Sequence, residues 1–226
     1  MQYLTELAHK YNTDRGLLYN GSTRKGHGYT EIYGELFKDV RNEVKKVLEI
    51  GVHKGQGLMM WNDFFPNAEI RGIEQFEANN LWKAPEGPVY TENDKRIKVM
   101  VGECQKEEVL TRFIQEHGTN FDIIIDDAAH VSDHQQICMG FLFPHLAPGG
   151  AYIIEDMHAP YHGPNFIGSV DTIRMAREYG ATNKIISQYM TPEQAKYIET
   201  NIEDQAYYES FPGETDGTAW IVTKKL

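Results

Sequence analysis

The stretch from Phe121 to His158, FDIIIDDAAHVSDHQQICMGFLFPHLAPGGAYIIEDMH, constrains this chain more than any other. Two short apolar runs, each of strand length, stop abruptly at acids: Asp126-Asp127 after the first, Glu155-Asp156 after the second. In an open α/β sheet, ligands bind in the crevice beyond the carboxyl ends of the strands. Neighbouring strands lie about 5 Å apart, so adjacent placement brings these carboxylates to one spot. No Lys or Arg occurs between Phe113 and Ile173. Clustered acids without a basic neighbour repel one another and titrate upward, and a bound divalent cation keeps them ionised together. The expectation is a metal site at the mouth of an α/β sheet.

Strand and helix alternate from Lys46 onward. The pattern predicts strands over 47–50, 69–74, 97–101, 122–126 and 151–155. Helices fall between them at 58–65, 106–117, from Ser132 to near His145, and at 169–179, with a further one near 190–200 capped by Thr191. Ser132 followed by Gln135 reads as a capping box, and Thr30 as the N-cap of an earlier helix reaching Val40. Two β-rich segments, 205–211 and 218–223, flank the turn-rich PGETDG and read as a hairpin. The fold expected is α/β: a Rossmann-like, doubly wound, mostly parallel seven-stranded sheet with a C-terminal antiparallel hairpin. It occupies residues 44–226 of a single domain, with residues 1–43 as a helical cover. Within that cover, NTDRGLLYNGSTRKGHG is rich in glycine and turn formers and is expected to be mobile.

Composition narrows the partners. The formal charge is −11 and the basic pairs are scattered, which argues against a nucleic-acid partner. The N-terminus is amphipathic, with no apolar signal core, and no apolar run approaches the roughly 20 residues of a membrane span. A cytoplasmic location is the expectation, and Cys104 and Cys138 are expected to be reduced thiols.

The turn after the first core strand reads Glu49-Ile50-Gly51-Val52-His53-Lys54-Gly55-Gln56-Gly57. Its glycines let the backbone pass close to a ligand, and the helix N-terminus beyond favours negative charge. A dinucleotide fingerprint needs a third small residue where Met60 stands, so that frame fails. From Gly51, G-x-x-x-G-x-G with Glu49 two residues ahead resembles the first-strand signature of class I S-adenosylmethionine (SAM) methyltransferases. Glu74, ending the second strand, falls where a ribose-binding acid is expected. Gly102-Glu103, after the third, falls where similar enzymes contact the adenine.

The resemblance extends over nearly the whole chain: KYNTDRG at Lys10, HGYTEIYGELF at His27, VLEIGVHKGQGLMMW at Val47, FPNAEIRGIE at Phe65, FDIIIDDAAHVSDHQ at Phe121 and HLAPGGAYIIEDMH at His145. Together these resemble the metal-dependent sugar O-methyltransferases of macrolide biosynthesis (the mycinamicin type) and, more loosely, a related cephalosporin hydroxylase-like group. The resemblance implies Asp127, Glu155 and Asp156 as metal ligands and His130 as the catalytic base. It implies SAM and Mg²⁺, with Mn²⁺ the alternative, as cofactors, and Glu49, Gly51, Gly55, Glu74, Glu103 and Asp126 on the cofactor side. The acceptor implied is a hydroxyl of a glycoside or similar small molecule, and the assembly a homo-oligomer. The family's D-D-G-S-H stands here as D-D-A-A-H. His158 and His162, with the aromatics Tyr161 and Phe166, are open candidates for an acceptor pocket, while His134 reads as a surface side chain. Two other readings remain: a metal-dependent hydroxylase, or a SAM-binding protein without catalysis.

Overall fold

In the structure, a computed structural model, residues 2–19, 24–75, 95–157, 172–209 and 217–226 are described. The N-terminal segment carries α1 (Gln2–Tyr11), a two-stranded ribbon of β1 (Leu18–Tyr19) and β2 (Arg24–Lys25), and α2 (Tyr29–Phe37). The sheet then takes β3 (Lys46–Ile50), β4 (Glu69–Glu74), β5 (Ile97–Val101), β6 (Phe121–Asp126) and β7 (Leu146–Glu155), closing with β8 (Ile202–Glu209) and β9 (Thr218–Lys224). Helices α3 (Gln56–Phe64), α4 (Glu107–His117), α5 (Ser132–Leu142), α6 (Thr172–Thr182) and α7 (Pro192–Asn201), with a 3-10 turn at Phe143–His145, complete the described elements. The strand order is β5-β4-β3-β6-β7-β9-β8, parallel through β7 and antiparallel at β9 and β8. Strand order reverses between β3 and β6, so the crevice beyond Ile50 and Asp126, which pair in register, is the switch point where such folds bind ligands.

Both faces of the sheet are covered, and the central strands alternate between two apolar layers. Val47, Ile123, Ile125, Ala151 and Ile153 pack with Leu4, Tyr33, Trp61 and Phe65 of α1–α3 and the residue after α3. Leu48, Ile50, Ile124, Tyr152 and Ile154 pack with Leu110, Met139, Met175 and Ile198 of α4–α7. That period of two decides where the acids go. Glu49 and Glu155 each follow a residue of the second layer and so turn toward the N-terminal helices. Asp126 follows Ile125 and turns the other way.

Two expected caps differ. Helix α5 starts with Ser132 already inside it, after Val131; the Ser132 hydroxyl accepts from Thr172 N at 3.3 Å, and Gln135 donates to Glu155 O at 3.0 Å. Tertiary partners took both side chains that a local box would have used. Likewise Gly28, not Thr30, precedes α2, and Thr30 faces Thr5 at 3.0 Å. Thr191 does form its box with Gln194. Cys104 and Cys138 are free and buried. Among the described residues, no helix is long and apolar enough to cross a membrane.

Candidate active site

The acids at the switch point have a basic partner after all, and it arrives from the segment expected to be mobile. Arg15, 3% exposed, sits beneath them. Its Nη1 lies 2.8 Å from Glu49 Oε1 and its Nη2 2.6 Å from Asp127 Oδ2, while Nε reaches both Glu155 oxygens at 3.0 and 2.8 Å. The guanidinium also stands 5.9 Å from the Trp61 ring centre. Tyr33 donates to Glu155 Oε1 at 2.8 Å. Burial opposes the charge on Arg15, but Glu155, Glu49 and Asp127 hold its pKa well above the ordinary arginine value. Burial raises Glu155 to about 7 and Asp127 well above the usual carboxylate range, in each case only partly offset by Arg15. One guanidinium faces three acids here, so the cluster is acid-rich as the acid pairs imply, although the premise of a wholly unpartnered cluster does not hold.

Above Arg15, three side chains face one another. Asp127 leaves β6 with its amide on Ile50 O at 2.9 Å and turns Oδ1 toward His130 Nδ1, 3.9 Å away. Tyr29, held by Thr218 N and O, donates to Asp156 Oδ1 at 2.6 Å. Asp156 Oδ2 lies 3.9 Å from His130 Nε2 and 3.7 Å from His27 Nε2. One ligand atom from each of Asp127, His130 and Asp156 lies within 4.8 Å of the others. Two carboxylates at this spacing, with an imidazole beside them, suit a divalent cation. Burial lowers the pKa of His130 despite the Asp156 carboxylate beside it, so the ring is neutral and able to accept a proton at neutral pH.

Two adjoining cavities meet at this point. The larger, about 560 Å³, lies between Asn12–Arg15, the glycine turn and the cluster, and is lined by Glu49, Gly51, His53, Asp127, His130 and Asp156 among others. The smaller, about 190 Å³, is lined by Glu74, Gly102, Cys104, Gln105 and His134. Gly51, His53, Asp127 and Ala128 line both. Glu74 Oε2 accepts from the amides of Val52 and His53 at 3.0 and 2.7 Å, tying the turn to the end of β4. Gly51 is left-handed at φ 87°, and a Cβ there would overlap the Asp127 carbonyl oxygen. Non-glycine residues rarely take positive φ. Six of the described residues do, and four of them, Asn12, His53, His130 and Asp156, line the larger cavity. Strain of this kind gathers at functional sites.

Of the residues named from the sequence, Glu49, Gly51, Glu74, Asp127, His130 and Asp156 meet around these cavities. Gly55 (φ 86°) precedes α3 and shapes the turn. Glu103 turns away to Lys106 at 2.7 Å and lines neither cavity. Asp126 lies fully buried on the opposite layer facing Tyr152, where burial pushes its pKa to about 7. Glu155 stays with Arg15 and Tyr33, outside the three-residue cluster. His134, expected at the surface, borders the smaller cavity. His158, Tyr161, His162 and Phe166 lie outside the described residues. Arg15, His27, Tyr29 and Tyr33 were not singled out beforehand. They fall within KYNTDRG and HGYTEIYGELF, where nothing in the local pattern shows that these side chains reach the crevice.

No protein-family profile matches the chain. Curated relatives include mycinamicin VI 2''-O-methyltransferase of Micromonospora griseorubida, 35% identical over 176 residues, covering 74% of this chain and 39% of that protein. Demethylmacrocin O-methyltransferase of Streptomyces fradiae is 34% identical, covering 74% of this chain and 39% of its own length. The chain thus spans about two fifths of the length of these relatives. Among solved structures, the MycE methyltransferase of the mycinamycin biosynthetic pathway, in complex with Mg, SAH and mycinamycin VI, superposes with a TM-score of 0.73 at 29% identity. That match covers 98% of this chain and 54% of MycE. An O-methyltransferase from Bacillus cereus in complex with SAH, at a TM-score of 0.57 and 14% identity, covers 99% of this chain and 91% of its own and shares the fold alone.

Proposed function

This chain has the class I methyltransferase fold and resembles the macrolide sugar O-methyltransferases, and we propose that it transfers a methyl group from SAM to a hydroxyl of a sugar or similar small molecule, with Mg²⁺ as cofactor. The observation that carries this reading is that Asp127 lines both cavities while standing in the Asp127–His130–Asp156 cluster. A cofactor along the glycine turn would therefore end where a cation and an acceptor meet.

SAM supplies a methyl group on a good leaving group, and the divalent cation supplies a Lewis acid that orients the acceptor hydroxyl and lowers its pKa. Glu74, at the end of β4, fixes the turn through Val52 and His53 and would take the ribose side of the cofactor. Asp127 and Asp156 would hold the cation. His130, neutral because it is buried, removes the hydroxyl proton as general base. The positive φ of His130 and Asp156 fixes both backbones before substrate arrives, so that orientation contributes to the rate. A single domain, a cytoplasmic location and a homo-oligomeric state belong to the same reading, the last on resemblance alone.

A methyl-transfer screen of glycosides with labelled SAM, run with and without EDTA, tests the proposal. Product that disappears with chelator and returns with Mg²⁺ supports it. Transfer that ignores EDTA overturns the metal role. SAM that stays unbound overturns the whole reading, and acceptor oxidation without methylation would favour the hydroxylase.

A further inference from the structure

We propose that Cys104 and Cys138 are a redox-sensitive thiol pair, which peroxide closes into a disulfide and which a cofactor bound in the smaller cavity protects. The protection rests on the function proposed above; the disulfide itself does not.

The chain has two cysteines, 34 positions apart, and the fold sets them against each other. The Cys138 thiol lies 3.4 Å from the carbonyl oxygen of Cys104, to which it donates, and the two side chains also hydrogen-bond to one another. Both thiols are free. A disulfide needs Cα atoms about 4.4–6.8 Å apart. Side chains already in contact can reach that spacing by a local shift, without rearranging the sheet.

The two positions differ in access and in stiffness. Cys138 lies inside α5, is 1% exposed and lines neither cavity. Cys104 lies in the short turn between the end of β5 at Val101 and the start of α4 at Glu107. It is 8% exposed and lines the smaller cavity beside Gly102, Gln105 and His134. Its turn is tied by Gly102 N on Glu74 O at 2.8 Å and Lys106 N on Glu103 O at 3.0 Å.

That asymmetry orders the chemistry. The hydrogen bond to Cys104 and burial push the Cys138 thiol up, which makes it the poorer first nucleophile. Cys104, reached through the cavity, attacks peroxide. Its sulfur takes one oxygen, the O–O bond breaks, and the departing hydroxide leaves as water with the thiol proton, giving a sulfenic acid. The Cys138 sulfur then attacks that sulfur. The S–S bond forms, the S–O bond breaks, and the second hydroxide leaves as water with the Cys138 proton. Two thiols are oxidised and one peroxide is reduced to two waters.

The cofactor feels this because the turn is a wall of its cavity. Drawing Cys104 toward α5 displaces the turn that also carries Gly102 and Gln105. Linkage makes the effect mutual, since a ligand that prefers the reduced form must also oppose oxidation.

The test treats the reduced full chain with hydrogen peroxide, with and without saturating SAH. Non-reducing peptide mass spectrometry reads the Cys104–Cys138 cross-link, and calorimetry reads SAH affinity before oxidation, after it and after dithiothreitol. The cross-link is expected to form, to form about tenfold more slowly with SAH, and to weaken SAH binding about tenfold until dithiothreitol restores it. Cys138→Ser is expected to keep SAH affinity within about threefold and to leave Cys104 as a sulfenic acid that dimedone traps; Cys138→Ala carries the same expectation should the serine variant fail to fold. Peroxide treatment that yields no cross-link in the unaltered protein overturns the proposal, as does dimedone labelling of Cys138 ahead of Cys104. A cross-link that forms equally fast with SAH bound overturns the protection. Reduced protein that binds no SAH overturns the cofactor reading, while the cross-link still decides the disulfide.

Discussion

Arg15 Nε stands 3.0 and 2.8 Å from the two carboxylate oxygens of Glu155, 140 positions further along the chain. The N-terminal segment is thus part of the candidate site, because it brings the cation that lets Glu49 and Glu155 be buried together. Replacing Arg15 by Met leaves these acids without their counter-charge. The expected loss is about 3–5 kcal/mol, the usual cost of removing one partner from a buried ion pair. Urea unfolding measures it, and a loss under about 1 kcal/mol would contradict the account.

Gly57 makes room for the same ion pair. A Cβ there would overlap the Glu49 carboxylate and crowd Arg15 Nη1. Glycine to alanine within a helix normally gains about 1 kcal/mol. Here both neighbours are held by each other, so Gly57→Ala is expected to lose about 1–3 kcal/mol by overpacking. Thermal unfolding gives the sign directly.

His145 sets a pH dependence away from the site. Burial, with Lys224 anchored on Pro144 O and Leu146 O beside it, lowers its pKa below the ordinary histidine value. Protonation therefore favours the unfolded chain. The stability contribution is intact above about pH 6.5, declines as pH falls toward the folded-state pKa, and levels off below it. His145→Gln is expected to flatten the fall in melting temperature between pH 7 and pH 5, and proton NMR should place this residue's titration below that of an exposed histidine.

His130 and Glu74 should separate kinetically. His130→Ala is expected to lower kcat by about 10²–10⁴, the range for a lost general base, with SAH affinity unchanged. Glu74→Ala is expected to weaken SAH by about tenfold or more, since the turn loses its tie to β4 and the ribose its acid. Calorimetry and initial rates tell the two apart, and equal effects of both variants on SAH binding would contradict the assignment.

Much of this was legible in the chain. Strand runs ending in acid pairs located the crevice, and β4 and β5 fall at their expected bounds. The observed β7 starts earlier, at Leu146, because Leu146 pairs with Phe121 ahead of an irregularity that carries Pro148 and Gly149, after which pairing resumes at Ala151. The period of two in GAYIIED already separates Glu155 from Asp156 by face, although the ends of strands alone do not show which face holds a cation or an arginine. Arg15 could not be read from local pattern. A glycine-rich segment carrying Arg15 and Arg24 looks mobile until a long-range contact fixes it, and sequence spacing carries no record of that contact. The caps at Ser132 and Thr30 failed for the same reason, since distant partners outcompeted local hydrogen bonds.

The central claim is that a cofactor on the glycine turn and a cation between Asp127 and Asp156 share one crevice. A crystal of the protein grown with SAH and Mn²⁺, measured at the manganese edge, tests it most directly. The account predicts an anomalous peak within coordinating distance of Asp127 Oδ1 and Asp156 Oδ2, with SAH lying along Gly51 toward Glu74. SAH in place with no anomalous peak between those two carboxylates, or an empty glycine turn, would contradict it.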